Sequence, residues 1–320
     1  MPDTTAVVGT SSPVDLGLDG ALPMDRLDRV AVAIVEAVAY ADVFDWPLSA
    51  GEIHRYLPVD ARLDEVEAAL VAPDLARWIS AIDGYFVLRG REGLLDERQR
   101  KAALSARLWP QAIRYGRIVS CLPWVRLVAV TGSLAVGAAA DYADIDLFIV
   151  TDDGRMWLAR ALTIGVAKVA TRVPSTRGLR LCPNYLVTAS ALDLPERDLY
   201  TARELAQLVP LFGPGAYDAL LERNGWFRRV LPNHPGPVDR IGDLGARRLR
   251  RVLETLLRNR VVERLERWEM ERKIARLSIE STNGEVRFDR STCKGHFEGY
   301  RRHVLDAFAE RLTRLGAGDA

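Results

Sequence analysis

The sequence predicts an α+β fold, or its α/β variant: a short mixed sheet with helices, preceded by a helix-and-hairpin unit and followed by a helical C-terminal domain. Three observations predict it. Residues 127–130 and 147–150 are apolar runs too short for helices and too apolar for surface strands, so they read as strands buried on both faces. Residues 27–44 and 62–71 carry apolar side chains at helical spacing and lead to a hairpin signal, Asp83-Gly84, between apolar runs. Beyond Arg197 the pattern is largely helical, and Leu249, Val252, Leu253, Leu256, Leu257, Val261, Leu265 and Trp268 make one apolar stripe.

Taken in order, residues 1–23 are rich in Thr, Ser, Pro, Gly and Asp, have no apolar core and read as a disordered tail. Residues 24–92 form a module of three helices and a hairpin, the second helix opening on Ser49 with Glu52 three residues on, the pattern of a capping box. This order resembles a winged helix. Its third helix begins Arg62-Leu-Asp64-Glu65-Val-Glu67, three acids against one base, so specific DNA binding is not expected and packing or homo-oligomerisation is the expected role. Residues 93–195, which hold the two buried strands, are expected to form a core and 196–320 a helical C-terminal domain. Pro210 and Pro214 break the helical pattern after 209, and the polar stretch 281–296 reads as an ordinary loop, with closure over a substrate as the functional alternative. Glu254, Glu263, Glu266 and Glu269 interleave with the arginines around the stripe, which reads as a solvated, salt-bridged face.

Composition excludes several classes. The net charge is +1, so no global field draws the chain to nucleic acid or membrane. Cys121, Cys182 and Cys293 are isolated, which excludes zinc-finger spacing and a disulfide framework. The apolar helix near 157–173 is interrupted by Arg160 and Lys168 and is too short to span a bilayer. With no signal peptide in the first residues, a cytoplasmic enzyme is expected.

The chemistry concentrates between the two buried strands. Period-2 geometry puts Asp144 and Asp146 on one face at the start of the second strand. Two adjacent carboxylates entering an apolar strand are costly unless a cation neutralises them, and Mg²⁺ suits one or two carboxylates plus phosphate oxygens. Gly132 lets a ligand approach the backbone closely, and the Ser133 hydroxyl with nearby N–H groups can donate to a phosphate. A short helix over 134–140 would aim its N-terminal N–H groups at the same anion. Together these residues indicate an NTP and Mg²⁺ site.

An apolar residue, Gly132-Ser133, ten residues and Asp144-Ile-Asp146 resemble the motif of the DNA polymerase beta-like nucleotidyltransferase superfamily. Where many members have an Arg three residues after the Ser this chain has Val136, and Ala143 stands where many have a Ser. The resemblance implies transfer of a nucleoside monophosphate from an NTP to an acceptor whose identity the residues do not specify, with Asp144 and Asp146 holding one or two Mg²⁺ ions and Gly132 and Ser133 positioning phosphates. It also implies a third acid on a later strand, expected over 178–187, where this chain offers Asn184. An amide there is a neutral ligand or a donor to substrate. The alternative is an NTP- and Mg²⁺-binding regulatory protein with weak or no catalysis.

Overall fold

A computed structural model describes residues 28–141, 143–172, 180–235, 247–280, 287–295 and 299–317. The tail expected over 1–23, the first two residues of the strand expected from 178, and residues 281–286 and 296 of the late polar stretch lie outside them. The architecture is α+β, with one three-stranded antiparallel sheet and one six-stranded mixed sheet.

The first helix, α1 (Arg29–Asp42), starts at Asp28, whose carboxylate accepts from the Ala31 N–H at 2.8 Å. It is apolar on nearly every side and is buried accordingly. Strand β1 (Leu48–Ser49) leads into α2 (Ala50–Arg55), closed by the expected capping box: Glu52 N–H donates to Ser49 Oγ and Ser49 N–H to Glu52 Oε2. Helix α3 (Leu63–Val71) follows, then the hairpin β2 (Ile79–Ile82) and β3 (Tyr85–Leu88), with Asp83 and Gly84 both at positive φ as its tight turn requires. The strand order β1-β3-β2 adds a strand that two residues could not announce in the sequence.

Helix α4 (Leu94–Ser120) delivers the chain to β4 (Val125–Thr131), the one-turn α5 (Gly132–Ala135), β5 (Ile145–Thr151), α6 (Met156–Ala170) and β6 (Leu181–Thr188). The helix expected over 134–140 is thus shorter and starts earlier, and Gly137 at φ +77° lies just beyond its end. Then come α7 (Leu199–Gln207), β7 (Val209–Phe212), α8 (Pro214–Arg223), α9 (Phe227–Val230), α10 (Arg247–Leu256), α11 (Arg260–Glu280), β8 (Arg287–Phe288), β9 (Thr292–Lys294) and α12 (Tyr300–Ala317). The large sheet has the order β7-β4-β5-β6-β9-β8, with β5 and β6 parallel and the other pairs antiparallel.

Three strands of that sheet come from beyond residue 195, so the C-terminal region expected to be helical shares a sheet with the core. Pro210 does not break β7, because β7 is an edge strand and a proline there forfeits no ladder bond on its outer side. Within the stretch expected as a loop, β8 and β9 make a hairpin whose turn is tied by Asp289 Oδ1, which accepts from Ser291 N–H at 2.7 Å and Thr292 N–H at 2.8 Å.

Side chains fill both faces of the sheet. Phe148, Val150 and Val187 join α1, α7 and α12 in one core, while Val128, Ile149 and Leu186 join Tyr115 of α4 and Trp157 of α6 in the other. The expected stripe helix is two helices, separated by Asn259, whose side chain caps α11 by accepting from Val261 and Val262 N–H. The inward face of α11 carries Val262, Glu266, Glu269 and Leu277, whereas Val261, Leu265 and Trp268 are exposed, which corrects the expected solvated face of interleaved acids. Glu266 is buried because it caps α6, accepting from the N–H groups of Trp157 and Leu158 at 2.9 and 2.8 Å.

Helix α12 seals the N-terminal module against the sheet. Phe308 is buried edge-on against Tyr40 at 5.4 Å between centroids, and Arg311 donates to Asp42 Oδ2 at 2.7 Å. Phe308→Ala is therefore expected to cost about 3–5 kcal/mol of a single cooperative urea transition. Two separate transitions, with only the first shifted, would show that the module and the sheet do not share this core.

Candidate functional site

The antiparallel register of β4 and β5 sets Thr131 directly opposite Asp146. The chain then turns at Gly132, at φ +67°, where a Cβ would lie 2.8 Å from Asp146 Oδ2. Glycine is needed twice over, for the backbone conformation and for clearance above the carboxylate. Ser133 follows, half-buried beside it.

Asp144 lies one residue ahead of β5. Its Oδ1 is 2.9 Å from Arg180 Nε, yet that oxygen is buried and accepts no aligned hydrogen bond. Asp146, half-buried, accepts from the Cys182 thiol, its pairing partner on β6. Burial, then the charges of Asp144 and Glu204, push the Asp146 carboxyl up to about 7. Burial and the same two aspartates push the Cys182 thiol up to about 12, so it stays a neutral donor.

Gly132, Ser133, Asp144 and Asp146, the four residues of the motif, thus meet at one end of two central strands. Asn184 sits differently. The β5–β6 register jumps from Leu147 opposite Pro183 to Phe148 opposite Tyr185, which leaves Asn184 at a bulge, out of step with Asp146. Its side chain is buried and its carbonyl accepts from Gly295 N–H at 3.1 Å.

The acid that sequence reasoning missed is Glu204, on α7. Thr131 Oγ1 donates to its Oε2 at 2.8 Å, next to Asp146, and burial raises its carboxyl above the usual range while Lys294 draws it down. Lys294 is itself paired with Glu196 at 2.9 Å. Tyr200 and Tyr300, with rings 6.3 Å apart, complete this wall, and both hydroxyls are raised by burial and then by charges that include Glu204 and Asp146. The one faint signal in the sequence was Tyr200 and Glu204 at i and i+4, which places both on one side of a helix.

A divalent cation fits the donor set. It would give Asp144 Oδ1, which has the Arg180 charge beside it but no aligned donor, a second positive partner, and would offset the burial and like charges that raise Asp146. Among the described residues no group of three or more His, Cys, Asp and Glu side chains could hold a metal ion, so further oxygens would come from substrate.

The raised Asp146 has a consequence for stability. An unfolded aspartate releases its proton near 3.8 and this one near 7, so the folded state binds the extra proton between those values and stability falls as pH rises through the window. Asp146→Asn removes that dependence and at pH 8 is expected to unfold about 1–3 kcal/mol later than the wild type without Mg²⁺. Urea titrations at pH 5 and pH 8 check this, and equal shifts at both values would contradict it. Comparison of the chain with protein-family models, curated proteins and solved structures finds no match.

Proposed function

We propose that this chain is a Mg²⁺-dependent nucleotidyltransferase, moving a nucleoside monophosphate from an NTP to an acceptor and releasing pyrophosphate. The observation that carries this reading is the tight turn at Gly132: the backbone passes so near the Asp146 carboxylate that only a residue without a Cβ fits there, and Asp144 precedes that carboxylate by two residues. The resemblance of the Gly132-Ser133 and Asp144-Ile-Asp146 motif to the polymerase beta-like superfamily supports it, and the mixed sheet is compatible with such a core.

Asp144 and Asp146 would hold the ion, which when bound supplies the positive charge that steadies a triphosphate. Gly132 keeps the backbone close to these carboxylates, and Ser133 would donate its hydroxyl to one of the phosphate oxygens. Glu204, braced by Thr131, brings a third acidic charge from a helix rather than from the strand position of Asn184, and acts by charge rather than by ligation. The N-terminal module, winged-helix-like in element order, presents exposed Asp64, Glu65 and Glu67 on α3 and is not assigned specific duplex recognition. That no third ligand converges on the pair among the described residues favours a second reading, an NTP- and Mg²⁺-binding regulator that performs no transfer.

Asp144→Asn and Asp146→Asn are each expected to weaken Mg²⁺-dependent NTP binding at least about 100-fold in calorimetry, because each removes an anionic ligand from a set of two. Gly132→Ala is expected to do the same through steric closure, at a cost of about 1–2 kcal/mol in stability. Unchanged affinity in Asp146→Asn would overturn the site. Pyrophosphate release by the wild type, screened over the four NTPs and a range of acceptors, separates transfer from binding alone.

A further inference from the structure

The balanced charge of the whole chain conceals a local segregation on α10 and α11. Their acids turn inward: Glu254 accepts from Trp124 N–H and Arg126, Glu266 caps α6, and Glu269 is buried beside Arg272. Left on the outer surface are Arg251, Arg258, Arg260, Arg264 and Arg267, opposed by Glu263, which lies 3.8 Å from Arg155, and Glu271.

The same outer face is apolar along a line. On α11, Val261, Leu265 and Trp268 follow i, i+4, i+7 spacing and are 63%, 46% and 58% exposed; Val252 and Leu256 repeat the spacing on α10. Arg272 stacks over the Trp268 indole at 5.1 Å, holding it at the surface. Exposed aliphatic and aromatic side chains in a row beside five arginines and two exposed glutamates are a costly surface for water alone.

We propose that the α10–α11 face docks on an anionic lipid surface, the helices lying in its plane. Such a surface takes both components: the aliphatic row and Trp268 enter the boundary between headgroups and acyl chains, and the arginines meet lipid phosphates and carboxylates. A second copy of this face would bring arginines against arginines, and a nucleic acid would leave Val261 and Leu265 without apolar contacts. No helix among the described residues is long and apolar enough to cross a membrane, which agrees with docking rather than spanning.

Co-sedimentation of the full chain with vesicles of phosphatidylcholine alone, or mixed with phosphatidylserine, tests this, with single-stranded RNA and analytical ultracentrifugation run in parallel. Binding to the mixed vesicles only is expected. It should weaken by about tenfold or more in the charge reversal Arg260→Glu/Arg264→Glu/Arg267→Glu and separately in Leu265→Ser/Trp268→Ser. All five side chains are exposed, so thermal unfolding should be unchanged in both variants. Absence of vesicle binding, or no loss in either variant, overturns the proposal. Loss in the charge variant alone would assign a polyanion site without insertion, RNA binding in place of vesicle binding a nucleic-acid partner, and a dimer broken by Leu265→Ser/Trp268→Ser a second copy; each also overturns it.

Discussion

The pairing of Thr131 with Asp146 across β4 and β5 is the constraint on which the rest depends. It fixes where the β4 strand must end, obliges the next residue to be a glycine, since a Cβ there would lie 2.8 Å from the carboxylate, and gives Glu204 a hydroxyl to hold beside it. Asp146 carries the cost of this cleft, its carboxyl raised first by burial and then by the charges of Asp144 and Glu204. The sheet can carry that cost because both of its faces are filled, by α1, α7 and α12 on one side and by α4 and α6 on the other.

Helix α7 ties the N-terminal module to this cleft through two consecutive residues. Glu204 faces Thr131, while the buried guanidinium of Arg203 lies 4.0 Å from the ring centre of Tyr40 on α1 and 4.7 Å from that of Tyr56, just after α2. Aromatic faces take the place of a counter-ion for that cation. A shift of the module against the sheet would therefore be transmitted to α7, and through it to the acid nearest Asp146. The module's role is better described as a clamp on α7 than as an appendage.

What was legible in the sequence was local. Gly132, Ser133, Asp144 and Asp146 lie within fifteen residues, and the apolar runs on either side dictate two neighbouring strands, so their meeting follows from pattern alone. The Ser49 and Glu52 cap and the Asp83-Gly84 turn were equally plain, being set by interactions over three residues or fewer. Glu204 was hidden because its burial depends on where α7 packs, some seventy residues after Thr131 in the chain. Pro210 disguised β7, since a proline stops a central strand but not an edge one. The bulge at Asn184 could not be read from a period-2 pattern, and it moved the partner of Asp146 to Cys182. On α11 the expected face held for Glu263 but not for Glu266 and Glu269, which went inward to cap and pair, a choice that helical periodicity alone does not determine.

Asp42 closes α1 and accepts from Arg91 at one oxygen and from Arg311, 269 residues away, at the other. The helix that completes the N-terminal core thus follows every other described element in the chain. While the chain is still on the ribosome, the face of α1 that Phe308 and Leu312 will cover stays open to water, together with Tyr40. Loss of α12 would therefore expose an apolar helix face and harm solubility more than its distance from the cleft suggests.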